Sequence, residues 1–221
     1  MKPFIDFTQL KREAALRDFN ELCRVALEHT DVVRGVCIPE NPFLVRYCKN
    51  IVGDRLKVSA VNGFPLGNCG PILKRYSALR AKECGADEID TVMNVGLLLA
   101  GERKLVLDDL RSVTAVFPGA VKVILEIGHP FYTEELVREA TGIVAESGAF
   151  CVKTSTGFLP NDIPIEEKVK FVKWMHDAAP ELVIKVAAGV RSMAHARMFL
   201  EVVPEDRLII GASAKIWETE K

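Results

Sequence analysis

Two stretches of this sequence, Glu83-Cys84-Gly85-Ala86-Asp87-Glu88-Ile89-Asp90 and Glu146-Ser147-Gly148-Ala149-Phe150-Cys151-Val152-Lys153, follow one pattern. In each, a helical segment ends at Gly-Ala, a short apolar strand begins, and an ionisable residue stands five positions after the glycine. A helix that leads directly into a buried strand is typical of proteins in which helices and parallel strands alternate.

The same alternation extends along the chain. Eight short, β-branched runs are separated by longer amphipathic segments, and they recur roughly every 25 to 33 residues, about the length of a βα unit. The predicted strands are residues 4–6, 32–38, 56–61, 88–94, 121–127, 150–154, 183–187 and 208–210. Their nearly continuous apolar character predicts strands that are covered on both faces.

The intervening segments have helical periodicity. Two predicted buried faces are Leu16, Phe19, Cys23, Ala26 and Leu27, and Leu136, Val137, Ala140, Ile143 and Val144. Thr133 is a predicted helix start, and Gly85 and Gly148 are predicted helix ends. No Pro-, Ser- or Gly-rich linker interrupts the series, so we expect residues 1–221 to form a single-domain (β/α)₈ barrel. An open doubly wound sheet is the alternative.

Composition excludes several classes of protein. The net charge is −1, which favours neither nucleic acid nor an acidic membrane as a partner. No apolar run approaches the roughly 20 residues of a membrane span, and the first residues reach charge too soon for a signal peptide, so a cytoplasmic location is expected. The six cysteines form no C-x-x-C pair and the four histidines are scattered, so we expect reduced thiols, no metal site and no cofactor.

Lysines stand inside predicted strands, where an unpaired ammonium is expensive to bury. Lys153 and Lys185 lie in the sixth and seventh strands, and Lys122 is a weaker third case in the fifth. Asp90 and Lys153 should stand at matching heights on the fourth and sixth strands, facing one cavity. The alternative for each lysine is a strand-end side chain that reaches solvent.

A pair of lysines has a chemical use. A lysine attacks a carbonyl only as the free amine, and the ordinary pKa of a lysine side chain is about 10.4. A second ammonium nearby and partial desolvation both favour the free amine. One lysine could therefore act as the nucleophile and the other as the cation that activates it, with Asp90 relaying protons.

Features suited to binding phosphate follow the last three strands. Thr154-Ser155-Thr156-Gly157 offers hydroxyl and backbone N–H groups, and Gly189-Val190 and Gly211-Ala212-Ser213 follow the seventh and eighth strands. Loops at these places often hold phosphate in such barrels, although a glycine-rich turn is often only a turn. We predict phosphate contacts at Gly157, Gly189, Val190, Gly211 and Ser213.

Several motifs together resemble the deoxyribose-phosphate aldolase family. They are Asp6-Phe7-Thr8-Gln9-Leu10, Gly63-Phe64-Pro65-Leu66-Gly67, Gly85-Ala86-Asp87-Glu88-Ile89-Asp90, Val121-Lys122-Val123-Ile124-Leu125-Glu126 and Phe150-Cys151-Val152-Lys153-Thr154-Ser155-Thr156-Gly157-Phe158. The resemblance implies a barrel that reversibly cleaves 2-deoxyribose 5-phosphate into glyceraldehyde 3-phosphate and acetaldehyde, without a cofactor and often as a homodimer.

The resemblance also implies roles for residues. Lys153 corresponds to the Schiff-base lysine, and Asp90 and Lys185 to the groups that donate and accept protons. Asp6 and Lys122 match positions that line the same pocket in the family. Cys37 closes the second strand near this cavity, either as an exposed thiol that an unsaturated aldehyde could alkylate or as a buried structural thiol.

The departures from the family pattern lie at the phosphate end. Ala188 stands where the family usually has a glycine, and Ala214 stands where it often has a hydroxyl residue. Weaker phosphate binding is therefore expected. Two alternatives stay open: a lysine-dependent aldolase for an unphosphorylated or different substrate, and a sugar-phosphate-binding barrel without turnover.

Overall fold

The computed structural model describes residues 4–158, 163–213 and 216. Its strands are β1 (Ile5–Thr8), β2 (Val33–Ile38), β3 (Lys57–Asn62), β4 (Glu88–Val92), β5 (Val121–Ile124), β6 (Cys151–Lys153), β7 (Val183–Val186) and β8 (Leu208–Ala212). All neighbours are parallel and follow chain order, and β1 pairs with both β2 and β8. The sheet is therefore a closed barrel, which confirms the (β/α)₈ prediction over the open doubly wound sheet.

Helices connect successive strands on the outside of the barrel. They are α1 (Leu16–Glu28), α2 (Pro42–Val52), α3 (Pro71–Glu83), α4 (Val95–Leu99), α5 (Arg103–Thr114), α6 (Glu134–Glu146), α7 (Ile165–Ala178) and α8 (Met193–Met198). Two helices, α4 and α5, lie between β4 and β5, where one was expected. Among the described residues, no helix is long and apolar enough to cross a membrane.

The helix boundaries follow the predicted signals. The Thr133 side chain accepts a hydrogen bond from the backbone N–H of Leu136 at the start of α6. Gly85 and Gly148 have positive φ just after α3 and α6 end, as expected of helix-terminating glycines. The predicted buried face of α1 is wrong at Leu16, which is 44% exposed, because the buried stripe runs through Leu22 instead.

The strand register brings the polar residues of the interior together. Asp90 on β4 stands opposite Lys122 on β5, and Lys153 on β6 stands opposite Lys185 on β7. Residues in register on adjacent strands point to the same side of the sheet. All four side chains are at most 2% exposed, so none of the three strand lysines reaches bulk solvent as the alternative required.

Gly67, in the loop between β3 and α3, offers a test of how tightly this loop packs against Met93, and Gly101, between α4 and α5, is the control. A Cβ atom at Gly67 (φ +73°) would lie 2.2 Å from the Met93 carbonyl oxygen, whereas one at Gly101 (φ +72°) would meet nothing within 4 Å. Both alanine variants place a side chain in the left-handed region, which costs about 1 to 2 kcal/mol. We expect Gly67→Ala to lose about 1 to 3 kcal/mol more than Gly101→Ala in urea unfolding, because of overpacking. Equal losses would show that the loop relaxes freely.

Candidate active site

A cluster of charged side chains fills one part of the barrel interior. Its members are Asp6, Arg34, Glu88, Asp90, Lys122, Lys153 and Lys185, which we call the charge cluster. Every member is buried except Arg34, whose side chain is 18% exposed. Charges so far from water require partners, and each member has at least one of opposite sign.

Asp90 accepts hydrogen bonds from more members of the charge cluster than either of the other carboxylates does. Its Oδ2 accepts hydrogen bonds from Lys153 Nζ at 2.8 Å and Lys185 Nζ at 2.9 Å, and its Oδ1 accepts one from Lys122 Nζ at 2.9 Å. Burial alone would raise the pKa of Asp90, but these lysines outweigh it and hold the pKa well below the ordinary value. Asp90 is therefore a stable carboxylate in direct contact with Lys153.

Lys185 lies between two carboxylates. Its Nζ is 2.6 Å from Asp6 Oδ2 in addition to its contact with Asp90. Burial opposes the ammonium form, but Asp6 and Asp90 prevail and raise the pKa of Lys185 above its ordinary value. The pKa of Asp6 is lowered in turn, against burial, by Lys185, Arg34 and Lys122. Lys185 thus remains a cation near neutral pH.

Sequence reasoning missed two members of the charge cluster, Arg34 and Glu88. Arg34 bonds Asp6 Oδ1 at 2.9 Å and holds Glu88 through both terminal nitrogens, and Glu88 Oε2 lies 2.6 Å from Lys122 Nζ. The spacing held a signal for Glu88, because a residue two positions before Asp90 shares its face of the strand. Nothing in the local sequence around Arg34 indicates its partners.

Lys153 also lines a cavity of about 210 Å³ at the carboxyl ends of the strands. All five residues predicted to contact phosphate line this cavity: Gly157, Gly189, Val190, Gly211 and Ser213. Thr8 and Thr156, which were not among the predicted phosphate contacts, line it too. The structure therefore places the lysine amine and the glycine-rich loops around one space.

Comparison with known proteins agrees with this geometry. The deoxyribose-phosphate aldolase of Caldicellulosiruptor saccharolyticus is 35% identical over 218 residues, covering 96% of this chain and 94% of the relative. That of Thermococcus kodakarensis is 36% identical, covering 96% and 92%. A solved tetrameric deoxyribose phosphate aldolase from Aeropyrum pernix is 25% identical, with a TM-score of 0.81 over 98% of this chain and 88% of that one. No family model matches the sequence.

The chain belongs to the deoxyribose-phosphate aldolase family. The resemblance predicted from the motifs is thereby confirmed, and so is the enzyme class, an aldolase.

The loop after β7 of the aldolase carries one of the two departures from the family pattern. Ala188 has φ +60°, in the left-handed region that favours glycine, and it lines the cavity. Lys168 Nζ donates to the carbonyl oxygens of Ala187 at 3.2 Å and Ala188 at 2.7 Å, which fixes the loop. The second departure, Ala214, lies outside the described residues.

Thr154 supports the same loop of the aldolase. Its hydroxyl donates to the Ala187 carbonyl at 3.1 Å and accepts from the Ala187 N–H at 3.0 Å, so it ties the end of β6 to the end of β7. Both hydrogen bonds of the hydroxyl go to the backbone of Ala187, so Thr154 holds in place a loop that lines the cavity.

Among the described residues, no cluster of three or more His, Cys, Asp or Glu side chains could hold a metal ion.

Cys37 of the aldolase is fully buried, which favours the structural-thiol alternative. Its thiol points at Asp90 Oδ2, 3.7 Å away, and burial together with the Asp90 charge raises the pKa of Cys37. Because the thiolate is the reactive form, this environment suppresses alkylation. Cys69, in contrast, is exposed.

We therefore expect iodoacetamide to label Cys69 of the native aldolase much faster than Cys37, with both labelled equally after denaturation. Peptide mass spectrometry at intervals would measure the two rates in one sample. Comparable rates in the native protein would mean that the cavity admits reagents to Cys37 readily.

Proposed function

We propose that the aldolase reversibly cleaves 2-deoxyribose 5-phosphate into glyceraldehyde 3-phosphate and acetaldehyde, with Lys153 as the Schiff-base nucleophile. The observation that carries this proposal is the position of Lys153, which both lines the cavity and donates to Asp90. The curated relatives, which are named deoxyribose-phosphate aldolases, support the same reaction.

The chemistry follows from the neighbours of Lys153. Lys185 shares the Asp90 Oδ2 atom with Lys153 and carries a positive charge, so a cation lies beside the amine that must react. The amine attacks the aldehyde carbon of the open-chain sugar, and loss of water gives the Schiff base. The protonated Schiff base withdraws electrons as the C2–C3 bond breaks and the C3 hydroxyl loses its proton.

Lys185 and Asp90 are the groups to which we assign proton transfer. The enamine left on Lys153 must gain a proton at C2 before water releases acetaldehyde, and the Lys185 ammonium can supply one. Asp90, whose pKa is held well below its ordinary value, can hold a proton only in passing. Its main role is therefore to orient both amines. Asp6 accepts a second hydrogen bond from Lys185, and Lys122 donates to the other oxygen of Asp90.

The loops opposite Lys153 suit a phosphate. Gly157, Gly189 and Gly211 bring backbone close to the cavity without a side chain in the way, and Ser213 adds a hydroxyl. This separation of an amine site from an anion site favours a phosphorylated aldose over an unphosphorylated aldol. The complete lysine and aspartate arrangement speaks against a barrel that only binds sugar phosphates.

Replacing the nucleophile gives the direct test. Lys153→Ala should lose several orders of magnitude in activity and should lose the fast adduct that acetaldehyde and borohydride form in the cavity, which leaves only the slow background alkylation of exposed lysines. Lys173→Ala, at an exposed lysine paired with Asp177, is the matched control and should trap acetaldehyde as the wild type does. An adduct that forms on folded Lys153→Ala protein as fast as on the wild type, mapped to another lysine, would remove the assignment.

The Ala188 departure predicts weakened phosphate recognition. Ala188→Gly removes a methyl group from the cavity and suits the positive φ, so backbone can approach a phosphate oxygen more closely. Regaining one charge-assisted hydrogen bond, worth about 1.5 to 3 kcal/mol, should lower KM for the phosphorylated sugar about tenfold or more. KM for plain deoxyribose is the control and should barely change. An equal response of both substrates would mean that this loop does not bind phosphate.

Three broader expectations remain predictions: that residues 1–221 form one domain, that the enzyme is cytoplasmic, and that it self-associates as a dimer. Closure of the barrel between β1 and β8 supports the first. For the third, α3 exposes Ile72, Tyr76 and Leu79 at i, i+4 and i+7, an apolar stripe suited to a second copy.

A further inference from the structure

The charge cluster has an unequal number of cations and anions. Four basic side chains, Arg34, Lys122, Lys153 and Lys185, face three carboxylates, those of Asp6, Glu88 and Asp90. With every member ionised, the cluster carries one excess positive charge in the barrel interior. With Lys153 as the free amine, the charges balance.

Arg34 and Glu88 belong to this balance although neither lines the cavity. Arg34 bonds Asp6 Oδ1 at 2.9 Å, and the other oxygen of Asp6 holds Lys185 at 2.6 Å. Glu88 bonds Lys122 at 2.6 Å, and Lys122 bonds Asp90 at 2.9 Å. Each is therefore linked to the shared acceptor of Lys153 through one chain of ion pairs.

We propose that Arg34 and Glu88 are positioning residues that set the net charge of the cluster, and that this charge governs how readily the amine of Lys153 attacks the substrate. Burying a net charge is expensive, so the cluster favours the state in which its charges cancel. Removing Arg34 leaves the cluster with an anionic excess that a protonated Lys153 would cancel. Removing the Glu88 charge adds a positive excess that opposes protonation of Lys153.

The other titratable groups around Lys153 are the same in every variant, so their effects on Lys153 do not contribute to the differences between variants. Lys153 meets Asp90 from β4 and Lys185 from β7, and it acts electrostatically on Cys37 of β2 and on Glu126 after β5. Burial raises the pKa of both Cys37 and Glu126, so each holds its proton more tightly than usual. The substitutions leave all of these side chains in place.

The test is the pH dependence of Schiff-base formation, measured as the rate of trapping with acetaldehyde and cyanoborohydride. Acetaldehyde carries no ionisable group, and the reduction step is the same for every variant, so differences between the acidic limbs, measured on the Lys153 peptide, report the enzyme. Arg34→Met should move this limb to higher pH and Glu88→Gln should move it to lower pH, each by about 0.5 to 1 unit, because each lost charge acts on Lys153 across intervening ion pairs. The double variant should return close to the wild type, and Arg34→Lys, which keeps the charge, should stay near it.

If Arg34 and Glu88 had only a structural role, both single variants would trap more slowly, but the acidic limbs of their pH profiles would not move in opposite directions. Arg103→Met, which breaks the exposed ion pair with Glu146, is the control for loss of a distant positive charge and should leave the limb in place. Limbs that move in the same direction, or do not move, in variants with wild-type circular dichroism would overturn the inference. It rests on Lys153 as the nucleophile, and trapping at the wild-type rate by Lys153→Ala protein would instead overturn the proposed function.

Discussion

The contact of Asp90 with three lysine amines is the constraint on which the rest of the interior depends. Lys122, Lys153 and Lys185 all donate to this one carboxylate. Removing one partner of a buried ion pair typically costs about 3 to 5 kcal/mol, because it leaves an uncompensated charge behind. Here the loss of Asp90 would leave three amines at once without their shared acceptor, so this carboxylate supports the whole site.

The barrel is what allows so many charges to meet. The three lysines come from β5, β6 and β7, the shared carboxylate from β4, and Asp6 from β1 on the other side of the closure. In an open sheet β1 would stand as an edge, far from β7, whereas closure through β8 brings Asp6 within 2.6 Å of Lys185. The loops that follow β6, β7 and β8 then surround Lys153 on its open side. The site therefore depends directly on closure of the barrel.

The sequence predicted the residues of the site better than their partnerships. Lys153 and Lys185 stood out because a lysine in an apolar strand needs a reason, and the repeated Gly-Ala pattern placed Asp90 at a matching height. Partners across the barrel depend on register between strands distant in the chain, which no local pattern encodes. Arg34 was missed for this reason, since its carboxylate partners lie 28 and 54 residues away. The burial of Cys37 was equally undecided, because a residue at a strand end can face either solvent or the interior.

Ala188 shows how a loop can keep its shape when its sequence changes. A non-glycine residue at positive φ persists where its surroundings over-determine the backbone. Lys168 holds the Ala188 carbonyl, and Thr154 holds both backbone polar groups of Ala187. The Ala188 methyl carbon lies 3.5 Å from where a Cβ atom on Gly157 would stand, so the two loops are already in contact. These contacts therefore hold the positive φ of Ala188, and its methyl group occupies space at the edge of the cavity.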